Sequence, residues 1–388
     1  MRPISLLVLL CISVAPSLCA QTSESKPPVS SSEAADLQLQ RKVTLDLQVT
    51  DSTNNSVLGL NPNDLHLLDR GDPRPLTSFR EVTAALEKPP TEAILLVDGV
   101  NITVEDVGLV RQGIETFLRR NGGHLAIPVS IFYLTDAGIK VNKPSMNGTE
   151  LANDFSKLPT TQPAITAGQG LSGAIDRMQR SIRALQLLCD YEATRPGRKL
   201  LMWMSPGWSL LAGGEAATPD AENARRFYAT IVETTTALRR AHITLYSVPV
   251  LNLFQSRDST FWMYKDYLKG ITGPSHADAP YLGLQVLALH SGGLVLDKSG
   301  NLPAQIDRCL ADANSYYEIT FDAAPGNKLG EYHPIEVRVD RPGVSIRTNS
   351  AYYAGPPQDT RLSATAARPQ AKPAPAAPAG SANPPAPN

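Results

Sequence analysis

The stretch Ala93-Ile94-Leu95-Leu96-Val97-Asp98-Gly99-Val100-Asn101 sets an apolar run against one carboxylate and a glycine turn. An apolar run of that length suits a strand buried on both faces, and open α/β sheets collect their ligands at the carboxyl ends of such strands. Asp98 is therefore the first place to look for chemistry, with the Asn101 amide as its polar neighbour. Val100 and Ile102 add nothing polar. Asp98 has an equally good structural use as a cap for the helix that follows.

A second constellation, Gly170-Leu171-Ser172-Gly173-Ala174, resembles a nucleophile elbow whose last glycine has been replaced. An elbow follows a strong strand, whereas residues 162–170 are small and polar, so the pattern puts Ser172 at a helix start. Gly168-Gln169-Gly170 lacks both the Lys-Ser/Thr of a phosphate loop and the strand before a dinucleotide turn. Arg177, Arg180 and Arg183 recur at three-residue spacing, as a solvated helix face or a contact for an acidic partner. No Cys or His cluster has zinc-ligand spacing, and no cofactor is expected. Trp203 falls in a predicted buried strand. Trp208, at the same end as Asp98, and Trp262, beside Phe261 and Tyr264 in a long connection, either present aromatics on a binding edge or pin their own loops.

The elements that must position these groups follow from pattern. The 388 residues, 42% hydrophobic and 19% charged, are enough for two ordinary domains and tails. A net charge of -1 gives no reason to expect nucleic acid or an anionic membrane as partner. Arg2, the apolar run Ile4 to Val14 and the break at Pro16-Ser17-Leu18-Cys19-Ala20 read as an export signal. Cleavage after Ala20 is expected, and the run falls short of the roughly 20 residues needed to cross a bilayer. Leu18 stands where lipid attachment at Cys19 wants a small residue. Cleavage leaves Cys189 and Cys309, both in apolar helical patterns, which either pair in an oxidising compartment or sit as buried thiols.

Residues 21–39 read as a flexible leader and 356–388 as a Pro/Ala-rich disordered tail. Val43 to Val49 alternates as a half-exposed strand does, followed by strand-like runs at Leu65 to Leu68 and Leu76 to Val82. Strands then alternate with helices: Ala93 to Asp98, Val104 to Arg120, Ile127 to Leu134, Leu171 to Leu188, Lys199 to Met204, Ala221 to Arg240, His242 to Val248, Leu282 to His290, Gly293 to Leu296 and Leu302 to Asn314. That order predicts a doubly wound, mostly parallel sheet with helices on both faces. Alternation returns at Tyr316 to Phe321, Ile335 to Val339 and Val344 to Arg347. Neither flanking β segment can bury a sheet face alone. The expected solution is one β-sandwich built from 40–88 and 315–355, with the α/β region 89–314 inserted between.

Leu60-Asn61-Pro62-Asn63-Asp64-Leu65-His66-Leu67-Leu68-Asp69-Arg70-Gly71, with Phe79, resembles the opening of the acidobacterial VWFA-related family, which carries a von Willebrand factor type A-like domain. Arg195-Pro196-Gly197-Arg198-Lys199 leading to Ser205-Pro206-Gly207, then Gly292-Gly293, then Tyr316-Tyr317 and Tyr352-Tyr353-Ala354, match its landmarks in order over roughly residues 40 to 355. The resemblance implies a protein-binding module whose recognition often runs through a divalent cation held by Asp-x-Ser-x-Ser, a Thr and a second Asp. Here Asp98 stands, but Val100 and Ile102 replace the serines, Gly170 the Thr and Pro206 the Asp. Mg²⁺ dehydrates reluctantly, so no metal is expected at this degenerate site. The resulting expectation is an exported, periplasmic or extracellular, non-enzymatic adhesion or scaffold module. It binds an unidentified protein through Asp98, Asn101, Ser205, Trp208 and Trp262. The alternatives are an exported serine hydrolase using Ser172 and a purely structural envelope protein.

Overall fold

The computed structural model describes residues 42–84, 88–158, 170–208, 220–250, 262–297, 301–328 and 330–354, and for 170, 171, 262 and 263 the backbone alone. The predicted signal (1–20), leader (21–39) and tail (356–388) lie outside them. Four strands come first: β1 (Lys42–Asp51), β2 (Leu65–Asp69), β3 (Asp72–Arg74) and β4 (Leu76–Thr83). The α/β stretch opens with β5 (Glu92–Asp98), α1 (Val104–Leu118), β6 (His124–Thr135), β7 (Gly138–Val141), β8 (Ser145–Asn147) and α2 (Gly148–Ser156). It continues with α3 (Gly170–Ala193), β9 (Lys199–Met204), α4 (Ala221–Arg240), β10 (Ile243–Val248), α5 (Leu284–His290) and α6 (Leu302–Leu310). The chain closes with β11 (Ser315–Asp322), β12 (Glu331–Val339), β13 (Val344–Arg347) and β14 (Ala351–Ala354).

Strands β10, β9, β5 and β6 pair in parallel, and β7 and β8 add antiparallel pairs to β6. The six-stranded sheet is thus mixed, and the expected strand at Gly293 to Leu296 is reduced to a single bridge between Ser247 and Val295. Its central strand needs apolar side chains on both faces, which explains the unbroken run from Ala93 to Val97. Ile94, Leu96, Leu201 and Trp203 pack with Ile182 and Leu185 of α3, Ile231 of α4 and Leu287 of α5. Ala93, Leu95, Val97 and Met202 pack the other way, on Val107 and Ile114 of α1, Phe155 of α2 and Ile306 of α6. Cys189 belongs to the first layer and Cys309 to the second, and both are buried free thiols.

Two four-stranded sheets, β13-β1-β11-β4 and β14-β12-β2-β3, each draw strands from both ends of the chain. The alternation in β1 buries Val43, Leu45, Leu47 and Val49 against Leu65 and Leu67 of β2, Ile319 and Phe321 of β11 and Tyr352 of β14. Every described residue belongs to one compact unit that begins at Arg41. No helix among the described residues is long and apolar enough to cross a membrane.

Candidate functional site at the carboxyl end of the parallel sheet

Asp98 ends β5 with its side chain fully buried. Its Oδ1 accepts the backbone N–H of Val100 (3.1 Å) and of Asn101 (3.1 Å). Its Oδ2 accepts Nδ2 of Asn101 (2.8 Å) and Nε1 of Trp203 (2.8 Å), and the Ser205 hydroxyl lies close enough to favour the charged carboxylate. Burial pushes this carboxyl above its ordinary 3.8, and Trp203, Asn101 and Ser205 pull the other way. A carboxylate with about four lone-pair sites that already accepts four N–H groups has little left for a ligand.

The local backbone holds this arrangement shut. The N–H of Gly99 donates to the Leu134 carbonyl at 2.8 Å, and a Cβ on Gly99 would stand 2.7 Å from that oxygen. Only glycine lets the turn lie so close to β6. The expected cap of α1 by Asp98 is replaced by Thr103, whose Oγ1 accepts from the N–H of Asp106 at 3.2 Å. Asp98 caps the turn before it instead. Val100 and Ile102, at the positions where the resemblance wants serines, are 1% and 3% exposed and fill the two opposite layers.

Trp203 and Trp208 meet edge to face with ring centroids 5.4 Å apart, and Nε1 of Trp208 donates to the Leu282 carbonyl at 2.7 Å. Trp208 is 2% exposed, so the expected exposed anchor is a core residue. The acceptor for its indole lies 74 positions away in sequence, where no local pattern reveals it. Asp98 and Ser205, expected at the same edge, are both fully buried. Ser205 Oγ also accepts the N–H of Gly207 at 3.1 Å, which shapes the turn leaving β9. Asn101 is half-buried; its Nδ2 bridges Asp98 and Ser181 Oγ (2.8 Å), while its Oδ1 has no hydrogen-bond partner among the described residues. Trp262 opens a short turn, Trp262–Tyr267, and its side chain lies outside the described residues.

Ser172 is exposed in the first turn of α3, a helix continuous to Ala193. That is the predicted helix-start placement rather than a strained strand-to-helix elbow. Among the described residues it has no hydrogen bond to a histidine or carboxylate.

The opposite, amino-terminal end of the parallel sheet carries buried charge that sequence reading passed over. Glu92 is bound by Ser130 Oγ (2.6 Å) and Arg195 (2.5 Å), and Arg195 also holds Glu192 at 2.9 Å. Nζ of Lys199 caps the carbonyls of Glu192 (2.9 Å) and Arg195. Burial and the nearby Glu92 charge push Glu192 up, while burial pushes Lys199 down. Asp312 is clasped by both Arg347 Nη2 contacts (2.7 and 2.8 Å) and by Tyr246 Oη (2.6 Å), and its carbonyl accepts from Arg198 Nη1 (2.9 Å). These contacts tie β10, the end of α6 and β13 together. The Arg198-Lys199 pair matched as a family landmark is therefore structural, and two consecutive cations at the start of an apolar strand were its signal.

No protein-family model and no curated protein sequence matches the chain. Solved structures that do match include an aerotolerance-related membrane protein from Bacteroides fragilis, 11% identical over 56% of this chain and 97% of that one, with a TM-score of 0.31. A pilus adhesin from Lactobacillus rhamnosus GG in its open conformation is 11% identical over 79% of this chain and 43% of that one, with a TM-score of 0.34. The human COPII-coat protein Sec24c is 10% identical over 71% and 46%, with a TM-score of 0.27. The chain thus spans less than half the length of the adhesin and of the coat protein.

Proposed function

We propose that the chain is an exported, non-enzymatic protein-binding module. In this reading residues 89–314 are a doubly wound, type A-like domain inserted in a β-sandwich formed by 40–88 and 315–355. The observation that carries the reading is the saturation of Asp98. Where such a sheet would hold a cation or a catalytic carboxylate, this chain spends its carboxylate on the backbone of its own turn and on Trp203. Binding then rests on surface complementarity and proceeds without Mg²⁺. Of the residues expected at the binding edge, Asn101 is half-buried, and its unmet Oδ1 is itself buried. Trp203, Ser205 and Trp208 hold that edge in shape from beneath.

The test is capture of partners from an envelope extract by the immobilised mature chain, with and without a chelator. Equal capture under both conditions is expected; capture abolished by the chelator and restored by Mg²⁺ contradicts the reading. Esterase activity above buffer that disappears in Ser172→Ala would instead establish the hydrolase.

A further inference from the structure

Asp46 of β1 and Glu318 of β11 sit directly opposite each other in the antiparallel register. Like charges in that position repel and need compensation. Asp46 is only 10% exposed, and its Oδ1 is buried with no hydrogen-bond partner among the described residues. Nδ1 of His242 stands 3.8 Å from that oxygen, beyond hydrogen-bond reach. One ligand atom from each of Asp46, His242 and Glu318 lies within 4.8 Å of the others. Beside them is a cavity of about 10 Å³ bordered by Thr44, Asp46, Arg239, His242, Ser291 and Asn349.

The arginines that pair with the two carboxylates give this oxygen no hydrogen bond, and Asp46 pushes the His242 imidazole above its ordinary 6.5. Arg198 stands 3.6 Å from the other oxygen of Asp46 and is committed elsewhere, to the Asp312 carbonyl, to Thr244 Oγ1 (3.3 Å) and over the Tyr316 ring at 4.4 Å. Arg80 holds Glu318 at 3.2 Å but is 50% exposed, and an exposed pair of that kind is worth about 0–1 kcal/mol and yields readily.

We propose that Asp46, His242 and Glu318 bind a divalent transition-metal ion of the Zn²⁺ class. One imidazole nitrogen and two carboxylates make the mixed N/O donor set that Zn²⁺ accepts, whereas Mg²⁺ demands near-octahedral oxygen. Tetrahedral ligands at about 2.0–2.2 Å from zinc stand about 3.4 Å apart, so closing the set takes side-chain movements of roughly 1 Å. Three protein ligands leave a fourth position, and a cavity of this size has room for about one water. Two ligands come from the β1–β11 pair and the third from the turn between α4 and β10, so the ion links the antiparallel sheet to the mixed one.

The test uses the mature chain and Zn²⁺ alone, followed by isothermal titration and thermal melting. His242 has a φ of 52°, a conformation that asparagine tolerates, so His242→Asn removes the ligand without adding backbone strain. Asp46→Asn supplies the second variant, and His276→Gln, at an exposed histidine outside the cluster, the control. One Zn²⁺ per chain is expected, with Tm raised by roughly 5 °C at a hundredfold excess over Kd. Binding should weaken at least a hundredfold in both ligand variants and stay unchanged in His276→Gln. Absence of saturable Zn²⁺ binding, or binding that survives both ligand variants while they remain folded, overturns the proposal.

Discussion

Two buried aspartates, one at the carboxyl end of the mixed sheet beside a tryptophan and one on the antiparallel sheet beside an arginine, are treated in opposite ways. At the carboxyl end, Asp98 is fully buried and takes four N–H bonds from its own turn, Asn101 and Trp203. On β1 of the antiparallel sheet, Asp46 is 10% exposed, faces a second carboxylate across the ladder and leaves one oxygen without a hydrogen-bond donor among the described residues. Burial of a carboxylate is therefore no sign of a site by itself. What separates a structural carboxylate from a binding one is the inventory of donors around it. By that measure the end where open α/β sheets place their ligands is closed here, and the carboxylate on the antiparallel sheet is under-satisfied.

Identical substitutions at the two aspartates break this comparison most sharply. Asp98→Asn puts an NH2 donor against N–H donors and should cost roughly 3–5 kcal/mol, because buried donors lose their acceptor. Asp46→Asn should cost less, about 1–2 kcal/mol, since the relief of like-charge repulsion offsets part of the loss of the 3.6 Å ion pair with buried Arg198. Urea unfolding of both variants measures the pair; equal costs would erase the distinction. Leu96→Ala, in the fully buried middle of β5, should cost about 2–5 kcal/mol and sets the scale for a core lesion. Trp203→Phe keeps most of the ring packing but removes one donor to Asp98, and a loss of roughly 1.5–3 kcal/mol is expected. A loss below about 0.5 kcal/mol would mean that the indole bond contributes nothing.

The smallest effect is in pH. Burial raises the Asp98 carboxyl above 3.8, so the folded chain holds that proton more tightly than the unfolded one. The stability from this group is full below pH 3.8 and falls as pH rises through the raised value. The penalty of Asp98→Asn should accordingly be smaller at pH 7 than at pH 4, as melting at the two pH values would reveal. A penalty that grows toward neutral pH contradicts the assigned shift.

Regular elements with strong patterns were legible. The unbroken run from Ala93 to Val97, the period-two pattern of β1 and β11, and the amphipathic pattern of α4 translate directly, because burial on two faces, one face or one stripe leaves its own periodicity. Short polar elements were not. β7 carries Gly138 and Lys140, α2 opens with Gly148-Thr149-Glu150, and neither has enough apolar residues to declare itself. The glycines at 292 and 293 proved informative for a reason no pattern states: a Cβ on Gly293 would fall 1.8 Å from the Leu245 carbonyl.

The candidate site was half legible. Asp98 was located by its strand and turn, but the polar groups around it come from positions 100, 101, 203 and 205, and only the fold decides that Trp203 and Ser205 lie beside it. Trp208 was placed on the exposed edge because it follows a strand end, whereas packing on Trp203 draws it inside. Asp46, His242 and Glu318 are scattered through the chain and have no ligand spacing to detect. The one local hint was a histidine in the left-handed position that ends α4, where glycine is the common choice.

The central claim is that the Asp98 end is sealed by the chain's own donors and works without Mg²⁺. Calorimetric titration of Mg²⁺ into the mature chain tests it most directly, because an ion with no differential affinity for the folded state neither binds measurably nor shifts stability. No saturable heat is predicted up to millimolar Mg²⁺. A micromolar Mg²⁺ site that disappears in Asp98→Asn would contradict the account.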